Sequence, residues 1–113
     1  MGRVLNWSLE DIKANIQSTV INIATTTTST VQAATTGRKY AIVGWNFNYT
    51  GTYTTDFTVN AVSVAGAQTF KADGINISVI GEQIFKGAAG EALAVINTRT
   101  GGDCDGVVYF VEY

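Results

Sequence analysis

Few side chains of this chain could take part in covalent or metal chemistry. Its 113 residues include no histidine and a single cysteine, Cys104. Because histidine is the commonest general base and metal ligand, Ser-His-Asp and Cys-His nucleophiles and His-based zinc sites are excluded. One cysteine is also too few for an internal disulfide or for the other common zinc sites. We interpret Cys104 as a small buried apolar residue near a turn.

Carboxylates are the remaining catalytic candidates, because a pair of them could hydrolyse a glycosidic bond. Most acidic residues of the predicted β region adjoin Gly or Thr in predicted turns, where a carboxylate accepts local hydrogen bonds. They are Asp56, Asp73, Glu82, Glu91, Asp103, Asp105 and Glu112. We therefore predict that the chain is not an enzyme and that it binds no cofactor.

Two short motifs partly match ligand-binding loops. Asp103 and Asp105 alternate in a predicted turn, as in a calcium loop, but the later Glu and the further oxygen ligands are missing. Residues 87–90 are rich in glycine, as a phosphate loop is, but no Gly-Lys-Ser/Thr follows them. We interpret the first motif as a solvated turn and the second as a loop in which backbones approach closely, so no metal site is predicted.

The composition indicates a surface with little charge. Hydrophobic residues make up 46% of the chain and charged residues 14%, against roughly 25% charged residues in ordinary soluble domains. A neutral surface favours a protein that packs against partners or copies of itself. The net charge is -2, and basic residues cluster only at Arg38-Lys39, so nucleic acid is not a predicted partner.

No membrane partner is predicted either. No stretch approaches the roughly 20 apolar residues that a membrane helix needs. The first residues, 1–7, lack the apolar run of a secretion signal. Together with the absence of a disulfide framework, this predicts a soluble protein made in a reducing compartment.

Residues 1–18 differ from the rest and are predicted to form an N-terminal arm or a short helix. Ser8 can cap the amides that follow it, and acidic residues come next, as at a helix start. As an arm, the segment would bind a partner and become ordered on binding. The alternative is that its larger side chains cover one end of the β domain. The partner-binding residues of the arm, which are the same side chains, would be Arg3, Val4, Leu5, Trp7, Leu9 and Ile12.

Residues 19–113 are predicted to form one all-β domain, an antiparallel β-sandwich of the jelly-roll type. Roughly seven to nine short strands separated by Gly-rich turns are typical of a sandwich or barrel. The predicted strands cover residues 20–24, 31–35, 40–49, 56–64, 68–71, 75–79, 83–85, 93–98 and 107–113. We predict that the first two pair with each other, that Asp73-Gly74 forms a tight turn, and that the last strand belongs to the core. The chain has no proline, which favours strand edges covered by other subunits.

Aromatic residues offer a second kind of binding site. The alternation within 40–49 places Trp45, Phe47 and Tyr49 on one face of the strand. If they are exposed, Trp45, Tyr49 and the nearby Tyr53 could stack on sugars. The alternative is that an aromatic stripe at this spacing belongs to the core.

Two segments carry a resemblance to a known family. Residues 85–96 contain a Gly-Ala-Ala-Gly-Glu-Ala-Leu step into a strand, and residues 102–113 contain a Gly-Asp-Cys-Asp-Gly turn before a closing Val-Val-Tyr-Phe-Val-Glu-Tyr strand. Over residues 37–113 the chain resembles the small β-sandwich decoration (cement) proteins of tailed-phage capsids. Jelly-roll and tumour-necrosis-factor-like modules of phage fibres have a similar spacing of strands and turns.

The resemblance implies a structural virion protein. Such a protein is made in the host cytoplasm and is seated as a homotrimer on the capsid exterior, where it binds the major capsid protein and stabilises the bacteriophage head. A sugar- or receptor-binding β-sandwich module of a viral fibre or surface structure is the alternative function.

Overall fold

Two antiparallel β-sheets form most of the described part of the chain. The computed structural model describes residues 8–23, 27–50, 53–64, 66, 68–70, 74–82, 84–99 and 104–113. Its elements are α1 (Leu9–Ala14), β1 (Gln17–Ile23), β2 (Thr27–Gln32), β3 (Tyr40–Tyr49), β4 (Tyr53–Val59), β5 (Val62–Ser63), β6 (Gln68–Phe70), β7 (Gly74–Ser78), β8 (Phe85–Lys86), β9 (Leu93–Arg99) and β10 (Cys104–Glu112). The predicted antiparallel β-sandwich with a short N-terminal helix is confirmed.

Successive strands alternate between the two sheets in several places. The first sheet has the order β1-β10-β3-β7, with β8 also paired to β3, and the second has the order β2-β9-β4-β5, with β6 also paired to β4. The predicted pairing of the first two strands is wrong, because β1 pairs with β10 and β2 pairs with β9. Between β1 and β2, Thr19 Oγ1 donates a hydrogen bond to the Val31 carbonyl oxygen at 2.7 Å.

The tight reversal of the chain lies at a different place from the predicted one. The predicted turn at Asp73-Gly74 would join β6 to β7, but these strands belong to different sheets. The observed reversal is at Asn60-Ala61, where φ is 52° and 63°, between the paired strands β4 and β5. Positive φ at both central residues is the geometry of a two-residue hairpin. The sequence predicted one strand over 56–64 because apolar alternation continues through this turn without a glycine.

The main core lies between the sheets. β3 contributes Tyr40 and Ile42 to this core before a register shift and Trp45, Phe47 and Tyr49 after it, in each case at alternate positions. The largest fully buried side chains of the core cluster include Phe47, Ile21, Ile42, Leu93, Val95 and Val108. Cys104 is also fully buried, and this burial, with a smaller contribution from Asp105, raises its pKa to about 12. The predicted buried role of Cys104 is confirmed.

A satellite cluster covers one half of the outer face of the first sheet. Ala41 and Val43 of β3 and Val111 of β10 are fully buried there and pack with Ile12 of α1. Further side chains pack against them, namely Ile16, Ile80, Ile84, Tyr109 and Tyr113. A six-residue helix is unstable alone, and the burial of Ile12 against the sheet stabilises α1 there.

β7 and β8 are two parts of one interrupted edge strand. Both pair with β3, β7 at Trp45–Tyr49 and β8 at Ala41-Ile42, while β10 occupies the other edge of β3. Between them the Gly81 amide donates to the Val43 carbonyl oxygen at 2.8 Å. A side chain at Gly44 would be crowded beside this loop, because a Cβ there would lie 3.1 Å from the Ser78 carbonyl oxygen and 3.2 Å from the Ile80 Cα.

Candidate functional site

The aromatic residues proposed for sugar stacking lie mostly in the core. Trp45 is 5% exposed and Tyr49 is 8% exposed, whereas the side chain of Tyr53 lies outside the described residues. The Trp45 ring lies 4.3 Å from the Phe57 ring and 5.7 Å from the Phe85 ring, measured between centroids. Its Nε1 donates to Asn76 Oδ1 at 3.1 Å. Neither Trp45 nor Tyr49 presents a ring face to solvent, so for these two the core interpretation holds.

The structure describes only some of the residues proposed for the N-terminal arm. Arg3, Val4, Leu5 and Trp7 lie outside the described residues. Leu9 begins α1, but its side chain is also outside them. Ile12 is buried in the satellite cluster, so it covers part of the β domain, as the alternative interpretation predicts.

Three of the described carboxylates accept hydrogen bonds. Asp56 Oδ1 accepts from Ser63 Oγ at 2.6 Å, and Glu91 Oε1 accepts from the Ala88 amide at 2.6 Å. Glu112 accepts from Arg38 Nη1 at 2.8 Å, and this bond raises the pKa of Arg38. Asp73 and Asp103 lie outside the described residues. Within the described ranges, no three Cys, Asp or Glu side chains are grouped closely enough to hold a metal ion.

The 87–90 loop and the end of β10 are joined by short backbone and side-chain contacts. A Cβ at Gly87 would lie 3.3 Å from the Tyr40 carbonyl oxygen, which confirms the predicted close approach of backbones. Tyr113 Oη donates to the Gly87 carbonyl oxygen at 2.6 Å, and the Tyr113 amide donates to the Lys39 carbonyl oxygen at 2.9 Å. With Phe110 and Val111 buried, the predicted place of the last strand in the core is confirmed.

The half of the first sheet that the satellite cluster leaves uncovered is the candidate site. One register row crosses β1, β10, β3 and β7, from Val20 through Val107 and Asn46 to Ile77. The next row contains Asp105, Asn48 and Ile75. We call the surface formed by these seven residues the open face.

Aliphatic side chains on the open face are unusually exposed. Val20 is 78% exposed, Ile75 is 62% exposed and Ile77 is 56% exposed. The exposed Asn46 and Asn48 lie between them on β3. Asp105 is the one charged residue of the seven, so the surface offers apolar contact and amide hydrogen bonds rather than ionic attraction.

The sequence signal for this surface was present but incomplete. The apolar alternation of Ile75, Ile77 and Val79 predicts a strand, and β7 lies within one residue of that prediction. Which sheet the strand joins, and that Val20 lies in the same row as Ile77, follow only from the register. The open face therefore cannot be recognised as a site from the sequence alone.

Comparisons with known proteins support the fold. No model of a known protein family matches the chain, and no curated protein matches it. Among solved structures, a GH26-CBM35 beta-(1,4)-mannanase of Podospora anserina is similar, with a TM-score of 0.50 and 15% identity. The match covers 88% of this chain and 28% of the mannanase chain. At this identity the similarity is evidence for the β-sandwich fold alone.

Among the residues that the structure describes, there is no helix with the length and apolar content needed to cross a bilayer.

Proposed function

We propose that this chain is a structural binding protein, a decoration protein that packs on the outside of a bacteriophage head and stabilises it. The observation that carries the proposal is the open face, on which exposed aliphatic side chains of β1 and β7 lie on either side of two neutral amides of β3. The resemblance of residues 37–113 to capsid decoration proteins supplies the identity of the partner, the major capsid protein.

The energetics of the open face favour a protein partner. Burying apolar surface stabilises a complex by roughly 25 cal/mol per Å², and soluble monomers rarely expose large contiguous apolar patches. Amides such as Asn46 and Asn48 can bond to a partner backbone without the desolvation cost of a charge. A capsid shell provides a large, fixed protein surface of this kind.

A homotrimer that forms only when the chain binds the capsid exterior would strengthen such binding. Three weak contacts joined in one rigid body bind far more tightly than one, because the second and third contacts become intramolecular. In this proposal Arg3, Val4, Leu5 and Trp7 add a further contact to the capsid. Deleting residues 2–7 tests that part alone, since it leaves α1 and β1 intact; unchanged attachment would remove the arm from the proposal.

The proposal is tested by mixing the protein with undecorated phage heads and counting the copies that sediment with them. We expect saturable binding of the natural chain and at least a tenfold weaker binding of Val20→Lys. Val62→Lys is the matched control, because Val62 is 64% exposed but lies on β5 in the second sheet, and it should bind normally. Absence of binding by the natural chain, or equal binding by both variants, would contradict the proposal.

A sugar- or receptor-binding module of a viral fibre or surface structure is the alternative proposal. With Trp45 and Tyr49 buried, such a site would have to use Tyr53 or polar side chains rather than those two ring faces. Glycan-array binding that Tyr53→Ala abolishes, combined with no binding to heads, would favour this alternative over decoration.

A further inference from the structure

The outer edge of β7 carries the features of a strand-pairing site. Among the described strands, β3 is the one that β7 pairs with. Natural proteins usually protect such an edge with lysine, proline or a bulge, yet β7 reads Gly-Ile-Asn-Ile-Ser and has neither a charge nor a proline. Ile75 and Ile77 on it are exposed, as is Val79 just beyond it.

The sequence of β7 is nearly symmetric about Asn76. We propose that β7 pairs antiparallel with β7 of a second copy of this chain, around a twofold axis at Asn76. In this register Ile75 lies opposite Ile77 of the second copy, and Ile77 lies opposite its Ile75. Residues directly opposite each other in a sheet lie on the same face. A slip of one residue would place each isoleucine opposite a residue on the other face. The register therefore brings two Ile-Ile pairs together on the open face.

Symmetry and charge favour a second copy over a different partner. An isologous twofold interface requires a surface that is complementary to itself, and cross-strand aliphatic pairs meet that requirement. The neighbours of the isoleucines on β3 are the neutral Asn46 and Asn48. The charged residue of the open face, Asp105, lies on β10, two strands away from β7, so two copies do not bring like charges together at the edge.

The opposite edge of the first sheet lacks this symmetry. β1 reads Gln-Ser-Thr-Val-Ile-Asn-Ile and carries one exposed aliphatic side chain among those described, Val20. Thr19 of this strand is also bonded to Val31 of β2 in the other sheet. Pairing through β7 would join the first sheet of one copy to the first sheet of the other. The two open faces would then form one continuous surface of twice the size.

The interface is small, since five residues of each strand meet at an edge. Interfaces well below the standard size of about 800 Å² per partner are weak or transient. We expect a dimer that dissociates in the micromolar range, stronger when a larger assembly holds the copies side by side.

Sedimentation velocity over a wide range of protein concentration tests the pairing. We expect a monomer–dimer equilibrium for the natural chain, weakened at least tenfold by Ile77→Lys and unchanged by Val62→Lys, with circular dichroism confirming that both variants fold. A natural chain that stays monomeric at every concentration overturns the proposal. A trimer that Ile77→Lys leaves intact also overturns it, while the decoration function, judged by the head-binding of Val20→Lys, would stand.

Disulfide trapping tests the register. Cysteines directly opposite each other across two strands are close enough to bond, whereas diagonal neighbours, about 7 to 8 Å apart, are not. A mixture of Ile75→Cys and Ile77→Cys variants should therefore form a crosslinked dimer under mild oxidation faster than either variant alone. The natural Cys104 is buried and does not interfere. Equal crosslinking of the mixture and the single variants would overturn the Asn76-centred register.

Discussion

The two halves of the outer face of the first sheet differ in what covers them. At one half, Ile12 of α1 packs over Ala41, Val43 and Val111, and Ile80 and Ile84 pack against the same cluster. At the other half, Val20 and Ile77, which lie in one register row of the same sheet, are exposed to solvent. Both halves carry aliphatic side chains, but the described part of the chain buries those of one half and leaves those of the other exposed.

The largest expected effect is a loss of stability when one charge is introduced into the covered half, compared with the same change in the open face. Val43→Lys places an ammonium group at a fully buried position and should lower the free energy of unfolding by at least about 3 kcal/mol. The same change at Val20 should alter it by less than about 1 kcal/mol, because the side chain is exposed. Chemical denaturation measures both, and equal losses at the two positions would contradict the division of the face.

Removing the side chain that covers the satellite cluster should have the next largest effect. Ile12→Ala deletes the buried contact of α1 with the sheet and should cost about 2 kcal/mol or more. It should also raise the binding of a hydrophobic dye, since the covered half becomes exposed. Lys13→Ala, at an exposed position on the same helix, is the control and should leave both readouts unchanged.

Positions 104 and 105 of β10 allow the thiol reactivity of a core residue to be compared with that of a residue on the open face. Cys104 is fully buried with its pKa raised to about 12, whereas Asp105 is exposed on the open face. A thiol reagent at pH 8 should leave Cys104 unmodified until the protein unfolds. Asp105→Cys in a Cys104→Ala background should react within seconds to minutes under the same conditions. Fast reaction of the natural chain would contradict the burial of the first position.

The same thiol predicts a dependence of stability on pH. Its pKa lies above the unfolded value of 9.0, so its contribution is fully present below pH 9 and declines as the pH rises towards about 12. The stability of the natural chain relative to Cys104→Ala should therefore fall between pH 8 and pH 10. A difference that is constant over this interval would contradict the raised pKa.

The smallest effect is expected at the Arg38–Glu112 ion pair near the end of β10. Both side chains are largely exposed, and exposed pairs contribute little because water and salt screen them. Arg38→Ala should leave the denaturation midpoint within experimental error. A clear loss would mean that this pair, rather than the packing of Val111, holds the end of β10.

Strands with strong local patterns could be predicted from the sequence, and their partners could not. β3 matches its predicted range because aromatic and aliphatic residues alternate with asparagines up to Tyr49. The turn at Asn60-Ala61 was missed because alanine at positive φ gives no sequence signal. The partners of β1 and β7 depend on residues far apart in the chain, so the open face, which combines Val20 with Ile77, could not be predicted from local pattern alone.

Hydrogen–deuterium exchange of the protein bound to undecorated phage heads tests most directly whether the open face is the binding surface. On binding, the account predicts slower amide exchange in 17–21 and 74–79, where the edge strands of the first sheet lie, and unchanged exchange in 60–64 of the second sheet. Slower exchange confined to 60–64, with 74–79 unchanged, would contradict it.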